Sequence, residues 1–366
     1  MSNKNIATEL CVQESSQTQW WYYSGHLTSG SRRFGFHLAF FHRRPNDVRF
    51  FGRIPVSLIS RLFKFSHFSI ADFENAQFFY AQQRSIWNGK RTRGNQLEQE
   101  LRLRSWYIRI NAEKHQVHAE SGSHKLSLDL SPEKPLVRHG NGGRIHRVDG
   151  QAAHHVSYTR IRAEGCLTIQ GKRYDVAGNA WMDSEYGLCD FGPGLVGWDW
   201  FSLQLDDNRE IMMYLVRGKQ GQLDGHQVVT LIDAHGTVET IPASSCKIIP
   251  SRFWTSPETK TEYPIAWDLQ FPRWNAEFRI AACLPCQELD TDGSTGIVYW
   301  EGAVDVTGHF DSRSVLGRGY VELVGYNKSN FKIFKKSLGV SEIARILIGN
   351  LNYFGKRHRC VRFQPK

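Results

Sequence analysis

Val176-Ala-Gly-Asn-Ala-Trp181-Met-Asp183-Ser-Glu185-Tyr186-Gly187, a glycine-rich link, and then Trp198-Asp199-Trp200-Phe-Ser-Leu-Gln-Leu205 is the stretch whose reading decides the fold. Asp183 and Glu185 are one residue apart, so in an extended chain both side chains point to the same face. Aromatic residues surround them. A carboxyl group held among indole rings is poorly solvated, which raises its pKa and can leave it protonated near neutral pH. Such an acid can give a proton to an apolar substrate. The plainer reading, a tryptophan filling a core and an aspartate capping a turn, competes with it.

Working outward, the same strand texture recurs on both sides. Trp20 to Leu27 and Phe34 to Phe41 flank the turn signal Thr28 to Arg33, and His67 to Asp72 and Gln77 to Gln82 flank Phe73 to Ala76 in the same way. Further strands are expected at 105–112, 116–121, 125–130, 156–163, 165–169 and 173–180, with an irregular loop from Pro132 to Gly150. In the second half the reading gives 198–205 paired with 210–216, 227–233 with 237–241, then 267–271, 277–282, 296–306 and 319–325. Many short strands at near-regular spacing, with almost no helical period before residue 330, predict an all-β chain of two tandem antiparallel barrels. A barrel of about eight strands can hold one small ligand. The expected divisions are a polar leader over 1–19, an N-terminal domain over 20–190, a C-terminal domain over 191–327 and a basic tail over 328–366.

Of the net charge of +10, the segment Lys328 to Lys366 supplies +9, from ten Lys or Arg against the single acid Glu342. The body is therefore near neutral, which removes the charge argument for a nucleic-acid partner. In the tail, Ser341 is a plausible N-cap, and Ile343, Ile346, Leu347, Asn350 and Leu351 fall at helical spacing, predicting a short basic helix. Such a helix either covers a barrel mouth or docks on anionic lipid or an acidic carrier protein. No run of eighteen apolar residues occurs, and seven scattered cysteines suit reduced thiols better than a disulfide framework. The expectation is a cytoplasmic protein, at most peripheral to a membrane.

Several stretches, in order, resemble the carotenoid hydratase (hydroxyneurosporene synthase) and AttH-like family: Trp20 to Leu27 with Phe34-Gly-Phe36, His67 to Asp72, Ser157-Tyr-Thr-Arg160, Gly178 to Glu185, Gly197 to Leu205, Trp254 to Pro257, Gln287-Glu288, Tyr299 to Val304 and Gly317 to Tyr326. The resemblance implies tandem lipocalin-like barrels, a cavity in or between them, and no organic cofactor. Its members include hydratases that add water across a carbon–carbon double bond of an isoprenoid or isoflavonoid, and cyclases that fold a linear polyene. The chain departs from the pattern at Ser184-Glu185-Tyr186, where many members carry His-Glu-Trp, and at His154-His155-Val156 in place of a tyrosine-rich run.

The reading assigns Asp183, Glu185 and His67 to proton transfer. Trp20, Trp21, Tyr22, Tyr158, Arg160, Trp181, Trp198, Trp200, Tyr299, Glu301 and Tyr320 are assigned to a hydrophobic small-molecule substrate, through ring faces and hydrogen-bond donors. Glu288, Glu301 and Glu322 could equally be structural, paired with Arg318 or Arg279. Gly192 to Gly197 is not a dinucleotide loop, because a strand follows where a helix is required. Cys283-Leu-Pro-Cys286 lacks a second pair for zinc, and His139, His146, His154 and His155 have no accompanying carboxylate pattern, so no metal is expected. No Gly-x-Ser-x-Gly elbow occurs. The function expected is a cofactor-independent hydratase or acid-assisted cyclase, with a Diels–Alderase-type pericyclase and a non-catalytic carrier of an apolar ligand as alternatives.

Overall fold

The structure is a computed structural model. It describes residues 9–13, 16–46, 48–50, 53–58, 62–87, 94–95, 98–111, 113–146, 152–187, 195–218, 227–327, 337–338 and 353–360. It is almost wholly β. One antiparallel sheet runs, edge to edge, through the strands at 353–359, 77–87, 62–72, 32–43, 18–29, 172–187, 152–169, 124–132, 115–121, 106–111, 98–103 and 94–95. The other runs through 238–242, 228–232, 210–218, 195–205, 313–324, 298–310, 276–282, 262–271 and 247–255. The sheets change over between Gly187 and Leu195, inside the glycine-rich link.

Each sheet curls around a core of its own, giving the tandem lipocalin-like fold. In the first, Phe68 and Trp106 come from strands far apart in the sheet order, yet their rings meet at 5.7 Å. In the second, Phe201 reaches Trp267 at 5.3 Å across the interior. Both interiors are filled by large side chains, among them Trp21, Tyr23, Phe34 and Leu101 in one and Leu203, Tyr263, Trp300 and Leu323 in the other. Strand alternation then turns the intervening residues outward, and these outward faces pack against each other along a seam that carries a third cluster, including Tyr22, Trp181, Trp200, Met212 and Tyr320.

Local chemistry accounts for the strand limits. The hairpin between 152–169 and 172–187 turns at Gln170 and Gly171, both with positive φ (53° and 82°), a conformation glycine adopts without a Cβ penalty. The regions 156–163 and 165–169, expected as separate strands, are one strand of eighteen residues. Its pairing slips between Tyr158 and Ile161. This bulge switches the inward residues from Val156 and Tyr158 to Ile161 and Ala163, and it turns Thr159 and Arg160 together toward the second sheet.

Strands at 98–103, 247–255 and 353–359 escaped the sequence reading. Lys247–Thr255 holds Pro250, and its register shifts there; it survives because it is an edge strand, where a missing N–H leaves no ladder bond unmade. The thiol expectation is corrected: Cys286 and Cys360 form a disulfide, which fixes the end of the tail beside the first sheet. There Tyr353–Arg359 pairs with 77–82, Lys356 lies 3.0 Å from Asp290, and His358 lies 3.1 Å from Glu258. The basic helix expected around 341–351 lies outside the described residues. Among the described residues no helix is long and apolar enough to cross a membrane.

Candidate active site between the sheets

Five strands supply the centre of the seam, and their registers stack its residues in rungs. Tyr22 pairs with Asp183 in the first sheet, while Trp200 and Glu301 both pair with Glu322 in the second. The neighbouring rung is Ser24 with Trp181, and Ser202 and Ala303 with Tyr320. Gly35 belongs to this packing, because a Cβ there would lie 2.6 Å from the Tyr320 hydroxyl. One rung further come His26 with Asn179, and Gln204 and Asp305 with Arg318.

In the acid rung Glu301 is fully buried and accepts a hydrogen bond from the Tyr22 hydroxyl at 2.6 Å, while its Oε2 has no partner. Burial first, then the negative charge of Glu322, holds the Glu301 carboxyl well above the usual range. Burial likewise pushes Glu322 up to about 7, although the Trp198 indole N–H donates to it at 3.0 Å. Neither glutamate forms the arginine salt bridge that the sequence allowed. Glu288 is structural, held by the hydroxyls of Ser256, Thr259 and Tyr263. The Trp200 ring stands 5.0 Å from Tyr22 and 6.1 Å from Trp181, and its indole N–H has no partner. An unpartnered buried donor and an unpartnered buried acid in one layer suit a polar guest.

Asp183 sits opposite, accepting from the Trp181 indole N–H at 2.7 Å and from the Ser157 hydroxyl. His155 Nε2 lies 3.2 Å from it and His155 Nδ1 lies 4.0 Å from Glu185. Burial alone would depress His155, but the charges of Asp183 and Glu185 outweigh it and hold the imidazole above its ordinary value. His139 continues the chain, with Nε2 2.8 Å from Ser157 and Nδ1 3.2 Å from Thr230 of the second sheet. Since the Ser157 proton goes to Asp183, His139 donates from Nε2, and its Nδ1 accepts from Thr230. Burial, then the neighbouring His155, holds His139 well below its usual value, in keeping with a neutral ring. One atom each of His139, His155 and Asp183 lie within 4.8 Å of one another, the spacing of a possible metal set. The hydroxyl and indole partners around them fit a hydrogen-bond relay better than an open coordination site.

The sequence reading placed its residues unevenly. Tyr22, Trp181, Asp183, Trp200, Glu301 and Tyr320 meet in the seam, Glu185 and Tyr299 lie on it one rung further, and Trp20 and Trp198 pack at its edge. Trp21 and Tyr158 do not belong: they point into the interior of the first sheet, where Trp21 donates to the Leu10 carbonyl and Tyr158 packs on His115. His67 is buried and bound at Nδ1 by Tyr299 and at Nε2 by Ser294, apart from the Asp183 group, and burial lowers it to about 3. That environment suits a neutral structural ring better than a proton carrier. Arg160 forms a buried ion pair with Glu210 at 2.6 Å. His155, His139 and Ser157 were missed as site members, though the strand period places His155 and Ser157 on one face.

A cleft of about 590 Å³ opens at the His26 end of the seam, lined by His26, Arg33, Arg160, Gln204, Asp305 and Arg318 among others.

Solved structures that share the fold include three that match over most of the chain. A candidate AttH from Nitrosomonas europaea is 26% identical over 86% of this chain and 94% of its own, with a TM-score of 0.75. Kievitone hydratase from Nectria haematococca is 16% identical over 89% and 93%, with a TM-score of 0.69. CghA is 12% identical over 86% and 93%, with a TM-score of 0.53. A search of curated proteins finds no match. The model of the AttH-like family matches residues 3–326, nearly the whole length, and the chain belongs to that family.

Proposed function

We propose that this protein is an enzyme that protonates a carbon–carbon double bond of an apolar polyene or isoprenoid-like substrate held in the seam, leading to hydration or to ring closure. One observation carries the reading: Glu301, wholly buried among aromatic rings, has one oxygen without a partner, and that burial holds its carboxyl well above the usual range. That is the state a general acid needs before it meets carbon. The sequence assigned the acid to Asp183 or Glu185; the contacts favour Glu301, because Asp183 is surrounded by donors. The fold shared with kievitone hydratase is compatible with hydration.

In this scheme Glu301 gives its proton to one alkene carbon, and the cation left on the other faces the rings of Trp181, Trp200 and Tyr22. Asp183 is oriented by Ser157, Trp181 and His155 to hold a water and to take the proton that water loses on forming the C–O bond. Return of that proton to Glu301 closes the cycle. Without a placed water, attack by a second double bond gives a ring and releases a proton instead.

The test uses polyene and isoprenoid substrates in water enriched in heavy oxygen, followed by mass spectrometry. Hydration predicts one labelled oxygen in the product, cyclisation an unlabelled isomer, and Glu301→Gln stops both. If Glu301→Gln turns over substrate at the wild-type rate, the proposal is wrong.

A further inference from the structure

The seam is open at one end and acidic further in, and the strand period measures the separation. His26 lies four residues from Tyr22, Asn179 from Asp183, Gln204 from Trp200, Asp305 from Glu301 and Arg318 from Glu322, each pair on one face of one strand. Four residues of extended chain span about 13 Å. On three of the five strands the residue between is small: Ser24, Ser202 and Ala303.

The cleft end is built for polar atoms. Arg33 is held by Asp305, and Arg160 by Glu210. Arg318 is exposed and makes no hydrogen bond or ion pair among the described residues. His26 is buried and lines the same cleft; its Nε2 lies 2.9 Å from the Gly319 carbonyl, which can only accept, so Nδ1 is left as an acceptor, and it has no partner. Burial first, only partly offset by that carbonyl, holds His26 down to about 4, so the ring is neutral at physiological pH.

We propose that this cleft binds the polar end of the substrate, an acidic oxygen at Arg318 with a hydroxyl at His26, so that the molecule lies along the seam and presents its double bond to Glu301 about 13 Å deeper. The inference rests on the proposed chemistry for the identity of the far end, and on the cleft alone for the polar end. One uncommitted arginine favours a single negative charge, a carboxylate or phenolate, over a diphosphate. The substrate class is then a long unsaturated amphiphile with an oxygenated acidic terminus.

Binding tests this without turnover. cis-Parinarate, a fluorescent polyene carboxylate, is titrated into the full-length protein beside its methyl ester. The acid is expected to bind about tenfold tighter, the value of one charge-assisted hydrogen bond. Arg318→Ala, a surface change, is expected to erase that preference. α-Hydroxymyristate should displace the probe at lower concentration than myristate. Equal affinity of acid and ester for the wild type, or a preference that survives in Arg318→Ala, overturns the head-group site; equal displacement by the two competitors overturns the role of His26. These failures would leave the Glu301 assignment standing, whereas an active Glu301→Gln would refute the chemistry and leave the cleft intact.

Discussion

Replacing Glu322 by glutamine is expected to change how the stability of this protein depends on pH. Burial raises the Glu322 carboxyl from its ordinary value of 4.5 to about 7. Between those values the folded state keeps a proton that the unfolded chain has lost, so each step up in pH favours unfolding. The destabilisation is absent below 4.5, grows through the window and is complete above about 7. At about 1.36 kcal/mol per unit the full shift would be worth about 3 kcal/mol. Glu322 keeps partial contact with solvent, which screens the charge, and about 1–2 kcal/mol is the better figure. Glutamine cannot ionise, and its amide oxygen can still accept from Trp198. Urea unfolding of both proteins at pH values across the window, extrapolated to water, gives the comparison. Glu322→Gln should gain about 1–2 kcal/mol on wild type from the acid end to the alkaline end. Because the Glu322 charge also raises the Glu301 carboxyl, the difference reads the ionisation of Glu322 together with the relief that its loss gives Glu301. Parallel stability curves for the two proteins would refute the burial argument for the whole acid rung.

Arg160→Met leaves the fully buried Glu210 with Lys134 as its remaining cation, at 2.8 Å, and should lower the unfolding free energy by about 3 kcal/mol; a change within about 0.5 kcal/mol would show that the bulge at 159–160 is not what joins the sheets there. Cys360→Ser opens the loop of 74 residues closed by Cys286, and a loss of about 2–4 kcal/mol is expected, with the variant no longer responding to reductant. A wild-type melting temperature unmoved by reductant would remove the disulfide from the account.

Period two made the architecture legible, and the same period explains where the site reading failed. Trp20 to Tyr23 is a run of four aromatics, and composition cannot say which pair faces the seam. Pairing does: Trp21 and Tyr23 enter the first core, whereas Trp20 and Tyr22 look toward the second sheet. The central carboxylates were found correctly as a pair on one face, since that follows from spacing alone. Which acid is surrounded by donors and which keeps a free oxygen did not follow, because that depends on partners distant in sequence: Ser157 and His155 reach Asp183 from the neighbouring strand, and Tyr22 reaches Glu301 across 279 residues. Arg160 reaches Glu210 of the second sheet because a bulge, invisible to a strict alternation, turns it there.

The sequence left a hollow inside a barrel or between the two, and the filled interiors leave the seam for a related reason. Each sheet fills its own interior with the large inward residues, and the polar residues that alternation sends outward have no solvent to face once two such sheets are packed together. Burying them costs free energy unless they find partners, and the Tyr22–Glu301, His139–Thr230 and Arg160–Glu210 contacts across the seam meet that requirement. A carboxyl held above its usual range is then a consequence of where the two sheets meet. Joining two barrels by their outer faces is what produces the acidic environment, and neither sheet could create it alone.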